Sequence, residues 1–109
     1  MLISVTRALV ALNPVDFRLG FNGLSAYVQG VLEQEVVSGT VFVFVNKRRN
    51  RMKLLWWDGS GLLLCTKRLE QGRYSWPMGE GNSVGIRSEE LMALMTGLEV
   101  RQKSGWYRR

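Results

Sequence analysis

The chain has 109 residues, 46% of them hydrophobic, and 15 Lys plus Arg against 9 Asp plus Glu give a formal net charge of +6. That length suits one domain with a continuous core, and the basic balance favours an anionic partner, nucleic acid first and an acidic protein or membrane surface behind it. The absence of histidine excludes Ser-His-Asp and Cys-His catalysis and His-based zinc sites, and the single cysteine, Cys65, excludes an intramolecular disulfide and a thiolate zinc site.

No charged-then-apolar leader opens the sequence, and no apolar run approaches the roughly 20 residues of a membrane span. The expectation is an intracellular, cytoplasmic protein. In chain order, Leu2 to Val10 reads as a short strand that Asn13-Pro14 breaks. Asp16 or Asn22 is the expected cap of the next element, a helix. Phe21, Leu24, Val28, Val31, Leu32 and Val36 recur at spacings of three and four, the period of a helix that packs one face. Gly23 and Gly30 weaken this helix, and Ser38-Gly39 is expected to end it.

From Thr40 the period becomes two and the residue types shift to Val, Phe and Trp, which is the strand signal. Asn46 to Asn50 and Asp58-Gly59-Ser60-Gly61 are turns, so residues 41–45, 51–57 and 62–69 are expected to form a three-stranded antiparallel meander. Taking Gly59-Ser60 as the tip of the second turn opposes Trp57 with Leu62, Leu55 with Leu64 and Lys53 with Thr66. One face then holds Val41, Val43, Val45, Met52, Leu54, Trp56, Leu63, Cys65 and Leu69, interrupted by Lys67, and is expected to be core. The other holds Arg51, Lys53, Arg68, Trp57, Phe42, Phe44, Leu55, Leu62 and Leu64. Cys65 is expected to act as a small hydrophobe on the apolar face.

Gln71 to Glu80 is rich in turn residues around Trp76-Pro77, and Asn82 to Ile86 is a candidate fourth strand. Ser88 then reads as an N-cap, Glu89 and Glu90 occupy the first turn of a helix, and Leu91, Leu94, Met95 and Leu98 form its apolar stripe. Gly97 is the expected stop. One domain is expected over residues 1–100, followed by a basic tail over 101–109 whose composition suggests a mobile end.

Chemistry has few residues to use. A two-metal nuclease needs several converging acids, and Asp16, Asp58 and Glu70 are the only candidates. Each also has a structural role open to it: Asp16 as a cap, Asp58 as the first residue of a turn, Glu70 as a partner of Arg68 or Arg73. Neither an enzyme nor a cofactor or metal is therefore expected. The basic tip is the stronger candidate. Lys47, Arg48, Arg49, Arg51 and Lys53 run without an intervening acid, and with Arg68 and Arg73 they form the expected nucleic-acid-binding set, because a charged β-ribbon reaches a groove or a phosphate backbone. A solvated hairpin end, or an edge charged against aggregation, is the competing explanation. Trp57, with Phe42 and Phe44, is the candidate partner-binding surface, and Trp57 is able to stack on a base or to seat in another protein; helices on both sheet faces, or a small second cluster with Phe42 and Phe44, would bury it equally well.

Four stretches, Asp16 to Leu24, Gly39 to Phe44 leading into Asn46 to Arg49, Lys53 to Gly61, and Lys67 to Pro77, succeed one another in an order that resembles the TnpB-type accessory protein, the second reading frame of insertion sequences of the IS66 family. The resemblance spans roughly Asp16 to Leu98. It departs at Leu19, where that family usually has a basic residue, and at Cys65-Thr66, where it usually has an aromatic pair. It implies a protein encoded beside a separate DDE-type transposase, supporting transposition, with no catalytic residues to assign.

The sequence thus predicts an α+β fold, a three- to four-stranded antiparallel meander packed against two helices. Two functions are open. One is a non-catalytic accessory protein that binds element-end DNA through the basic hairpin. The other is an adaptor that docks on the transposase through the aromatic sheet face without touching DNA.

Overall fold

The computed structural model describes residues 7–37 and 39–96. The expected start of the first strand at Leu2, the stop at Gly97, Leu98 of the last stripe and the basic tail lie outside the described residues. Five strands, β1 (Arg7–Ala11), β2 (Thr40–Val45), β3 (Arg51–Trp57), β4 (Leu62–Arg68) and β5 (Ser83–Ile86), form one sheet in the order β4-β3-β2-β1-β5, with helices α1 (Phe21–Gly30) and α2 (Ser88–Thr96).

The β2–β3–β4 meander has the register that alternation predicts, with Trp57 opposite Leu62, Leu55 opposite Leu64 and Lys53 opposite Thr66. Two parts of the expected architecture are corrected. The sheet has five strands rather than three or four, and it is not wholly antiparallel: β1 pairs with β2 in parallel, Ala8 against Val41 and Val10 against Val43. A parallel pair needs a crossover rather than a hairpin, and residues 12–39, with α1, supply it. β5 then adds to the free side of β1 in the antiparallel sense, Val10 against Val84.

The central position of β2 follows from its composition. All six of its residues, TVFVFV, are buried, which requires cover on both sheet faces. On one face Val41, Val43, Val45, Met52, Leu54 and Trp56 pack with Leu91 and Leu94 of α2 and with Tyr74 and Trp76 from the connection after β4. On the other, Phe42, Phe44 and Leu55 pack with Leu24 and Val28 of α1 and with Leu32. Trp76 also donates its indole N–H to the Ala11 carbonyl at 2.8 Å, fixing that connection across the β1 end of the sheet.

Both helix starts differ from the expected caps. Gly20 is the N-cap of α1 and provides no side-chain bond. Asp16 is instead engaged with Arg18, and Asn22 lies within the helix. Ser88 is the first residue of α2 rather than its cap, while Glu90 reaches back to accept the Arg87 backbone N–H at 2.8 Å, half of a capping box. The end of α1 also moves. It stops at Gly30 rather than Ser38-Gly39, and Glu33 at φ 57° turns the chain so that the Gln34 N–H meets the Val28 carbonyl at 3.0 Å. Phe21 and Val31, placed on the apolar stripe by spacing, are exposed.

Cys65 is exposed, which corrects its expected core position: β4 is an edge strand, half-buried over Leu62, Leu63 and Leu64 and exposed from Cys65 to Arg68. Lys67, the interruption in that face, donates Nζ to the Met95 carbonyl at 2.9 Å. It places a cation at the carbonyl end of α2, whose last turn has no basic residue of its own.

Candidate nucleic-acid interface at the β2–β3 hairpin

The tip is built around Asn46. Its backbone N–H donates to the Arg51 carbonyl at 3.1 Å, and its carbonyl accepts the Arg49 N–H at 3.0 Å. Its side-chain Oδ1 accepts the N–H groups of Asn50 and Arg51, each at 3.0 Å, and its Nδ2 donates to Asn50 Oδ1 at 2.8 Å. The connection after β4 closes the tip from the side: the Leu69 N–H meets the Asn50 carbonyl at 2.9 Å, and the Tyr74 N–H meets the Arg49 carbonyl at 2.7 Å. The hairpin end is therefore a fixed platform. Arg49 adopts a left-handed φ of 63° to complete its shape, a conformation that disfavours side chains other than Gly, Asn and Asp.

Of the seven basic candidates, five cluster at this end as exposed cations. Lys47 and Arg48 occupy the turn, Arg51 begins β3, Arg68 ends β4, and Arg73 precedes the Tyr74 that is bound to the tip. Arg51 lies directly opposite Arg68 in the ladder, a like-charge pair that costs stability. Arg68 has one exposed acidic neighbour, Glu70 at 3.3 Å. Among the described residues Lys47, Arg48, Arg49, Arg51 and Arg73 make no ion pair. Arg49 is half-buried.

Lys53 is corrected from a phosphate-facing cation to a structural one. It is half-buried, its Nζ donates to the carbonyls of Phe17 at 2.9 Å and Leu19 at 2.8 Å, and it lies 4.8 Å from the centre of the Phe17 ring. The loop it holds carries Arg18. Arg18 forms a two-pronged contact with Asp16, at 3.1 Å through Nε and 2.7 Å through Nη2. The Arg18 side chain and backbone hydrogen bonds hold the Asp16 carboxyl at about 2, down from 3.8. The i, i+2 spacing of Asp16 and Arg18 is the signal that identifies this pair.

The other acids are likewise in structural service. Asp58 Oδ1 accepts the N–H groups of Ser60 at 2.9 Å and Gly61 at 3.0 Å, which lowers its pKa, Ser60 contributing most. Gly59 takes φ 104° to close that turn. Among the described residues no three of His, Cys, Asp and Glu come together in a manner that holds a metal ion, and no helix is long and apolar enough to cross a membrane.

The expected aromatic interface is corrected too. Phe42 is 1% exposed and Phe44 0%, both beneath α1, where Tyr27 meets Phe44 edge to face at 6.1 Å. They have no surface to offer a partner. Trp57 alone remains half-exposed, at the opposite end of β3 from the tip.

Residues 6–105 match the sequence profile of the family described as IS66 Orf2 like protein. The chain belongs to that family. As an IS66 Orf2-like protein it is an accessory protein associated with an insertion sequence. Two relatives come from Sinorhizobium fredii. "Uncharacterized protein y4jC" is 42% identical over 93 residues, covering 85% of this chain and 80% of the relative. "Uncharacterized protein y4hO" is 36% identical over 102 residues, covering 94% and 89%. No solved structure matches. In this IS66 Orf2-like chain, the resembling stretches 46–49 and 67–77 lie together at the hairpin end, joined by the bonds from Leu69 and Tyr74.

Proposed function

We propose that this IS66 Orf2-like protein is a non-catalytic accessory factor of transposition that holds DNA at the β2–β3 hairpin end, in support of a separate transposase. The observation that carries this reading is the fixed platform of exposed cations, with Arg51 set against Arg68. Folding gains nothing from that crowding. A phosphate backbone relieves the repulsion and releases counterions on binding. The adaptor reading drew on Phe42, Phe44 and Trp57, and the burial of the two phenylalanines removes most of that surface.

The test is a salt-titrated shift assay of the parent and a Lys47→Ala/Arg48→Ala/Arg51→Ala variant on element-end and random duplexes. Arg49 is left in place, since its positive φ would confound charge with backbone strain. The variant is expected to bind more weakly and to lose up to about 0.9 log unit of salt slope per phosphate contact removed. Its stability is expected to stay within about 1 kcal/mol, as for exposed positions. Unchanged affinity and slope would remove the hairpin as the DNA site.

A further inference from the structure

Trp57 opens onto a cleft of about 630 Å³ formed where the segment after α1 passes the far ends of β3 and β4. That volume falls in the range of about 300–1,000 Å³ typical of ligand sites. Trp57 is six residues from Arg51 on one strand, so the cleft lies about 20 Å from the basic tip at the rise of roughly 3.3 Å per residue. Its chemistry is of the opposite sign. The lining includes Glu33 and Glu35 and no Lys or Arg, and neither glutamate forms an ion pair among the described residues.

We infer that this cleft docks a basic segment of a protein partner, taking an arginine or lysine side chain with its charge on Glu33 and Glu35 and its stem against Trp57 and Leu62. Independent features favour a cation here. The carboxylates supply charge on a molecule that is otherwise strongly basic. Helix α1 brings its carbonyl end to the cleft through Gln29 with no basic residue in its last turn, leaving the negative end of its dipole without a side-chain cation from that turn. The half-buried indole of Trp57 offers a face on which a guanidinium or ammonium group stacks. The same carboxylates repel phosphate, which separates this site from the DNA end and leaves both free to act at once. Docking of a cation here does not depend on the hairpin binding DNA.

The experiment is an NMR titration of isotope-labelled protein with acetyl-Arg-Leu-Arg-amide and, as a neutral counterpart, acetyl-Gln-Leu-Gln-amide. The arginine peptide is expected to give saturable shifts confined to the Trp57 indole and the amides of residues 29–36. At least a tenfold loss of affinity is expected in a Glu33→Gln/Glu35→Gln variant and none in Glu80→Gln/Glu89→Gln or in the hairpin triple variant. Should the double variant fold poorly, Glu35→Gln alone carries the test, with at least a threefold loss expected. Equal binding of the neutral peptide, shifts scattered over Glu70, Glu80 and Glu89, or unchanged affinity in the glutamate variants would overturn the inference.

Discussion

Lys47 and Lys53 belong to one run of basic residues and do different jobs. Lys47 is exposed at the turn, whereas Lys53 Nζ satisfies two backbone carbonyls of the 17–19 loop. Lys53→Ala is expected to cost about 1 kcal/mol, since it leaves two part-buried carbonyls without their donor, and Lys47→Ala under about 0.5 kcal/mol; denaturant unfolding of the two variants checks this. Asp16 supplies a pH-dependent counterpart. Its carboxyl is depressed to about 2 in the fold against an ordinary 3.8, so the folded state binds fewer protons, and the stabilisation is present above the ordinary value and lost as pH falls towards about 2. A carboxyl-carbon NMR titration is expected to find a midpoint near 2, moving back up towards 3.8 in Arg18→Gln.

Helix α1 was legible in its stripe and misread in its ends, for a local reason. Leu24, Val28 and Leu32 are buried as their spacing demands, yet periodicity says nothing of where the helical turn stops, and the apolar positions continue through a non-helical segment to Val36. Two glycines within the helix separate propensity from packing. A Cβ at Gly30 meets nothing within 4 Å, whereas at Gly23 it meets Leu19 Cδ2 at 2.6 Å and Cβ at 3.2 Å. Gly30→Ala is expected to raise stability by about 0.5–1 kcal/mol. Gly23→Ala is expected to give no such gain, since Leu19 must move off the helix. Thermal melts of the two variants, compared with the parent, test the difference.

One sheet with a cluster on each face is expected to unfold as a single cooperative unit, because β2 contributes buried side chains to both clusters. Phe44 sits in the cluster under α1 and Leu94 in the one under α2, each 0% exposed. Phe44→Ala and Leu94→Ala are expected to cost about 3–5 and 2–5 kcal/mol respectively. In both, far-UV circular dichroism and tryptophan fluorescence are expected to report the same unfolding midpoint. Separate midpoints for the two probes would show that the faces unfold independently.

At this scale the meander, its register and the split of its faces were readable from sequence, since a strand's alternation and a short turn fix which side chains oppose one another. The charge run, the turn at Asp58 and the order of the stretches that resemble the family were also present in the sequence. Three things were decided only by tertiary structure. The parallel pairing of β1 with β2 depends on contacts across 30 residues or more, and nothing in the composition of Arg7–Ala11 encodes its neighbour. The burial of Phe42 and Phe44 depends on α1 folding back over the second face, which alternation alone leaves open to solvent or to cover. The division of labour among the basic residues, with Lys53 tied to a loop and Lys67 to a helix end while Lys47 and Arg48 stay exposed at the turn, depends on which carbonyls the fold brings within reach of each side chain. A lysine's charge is written in the sequence, and its partner is set by the packing around it.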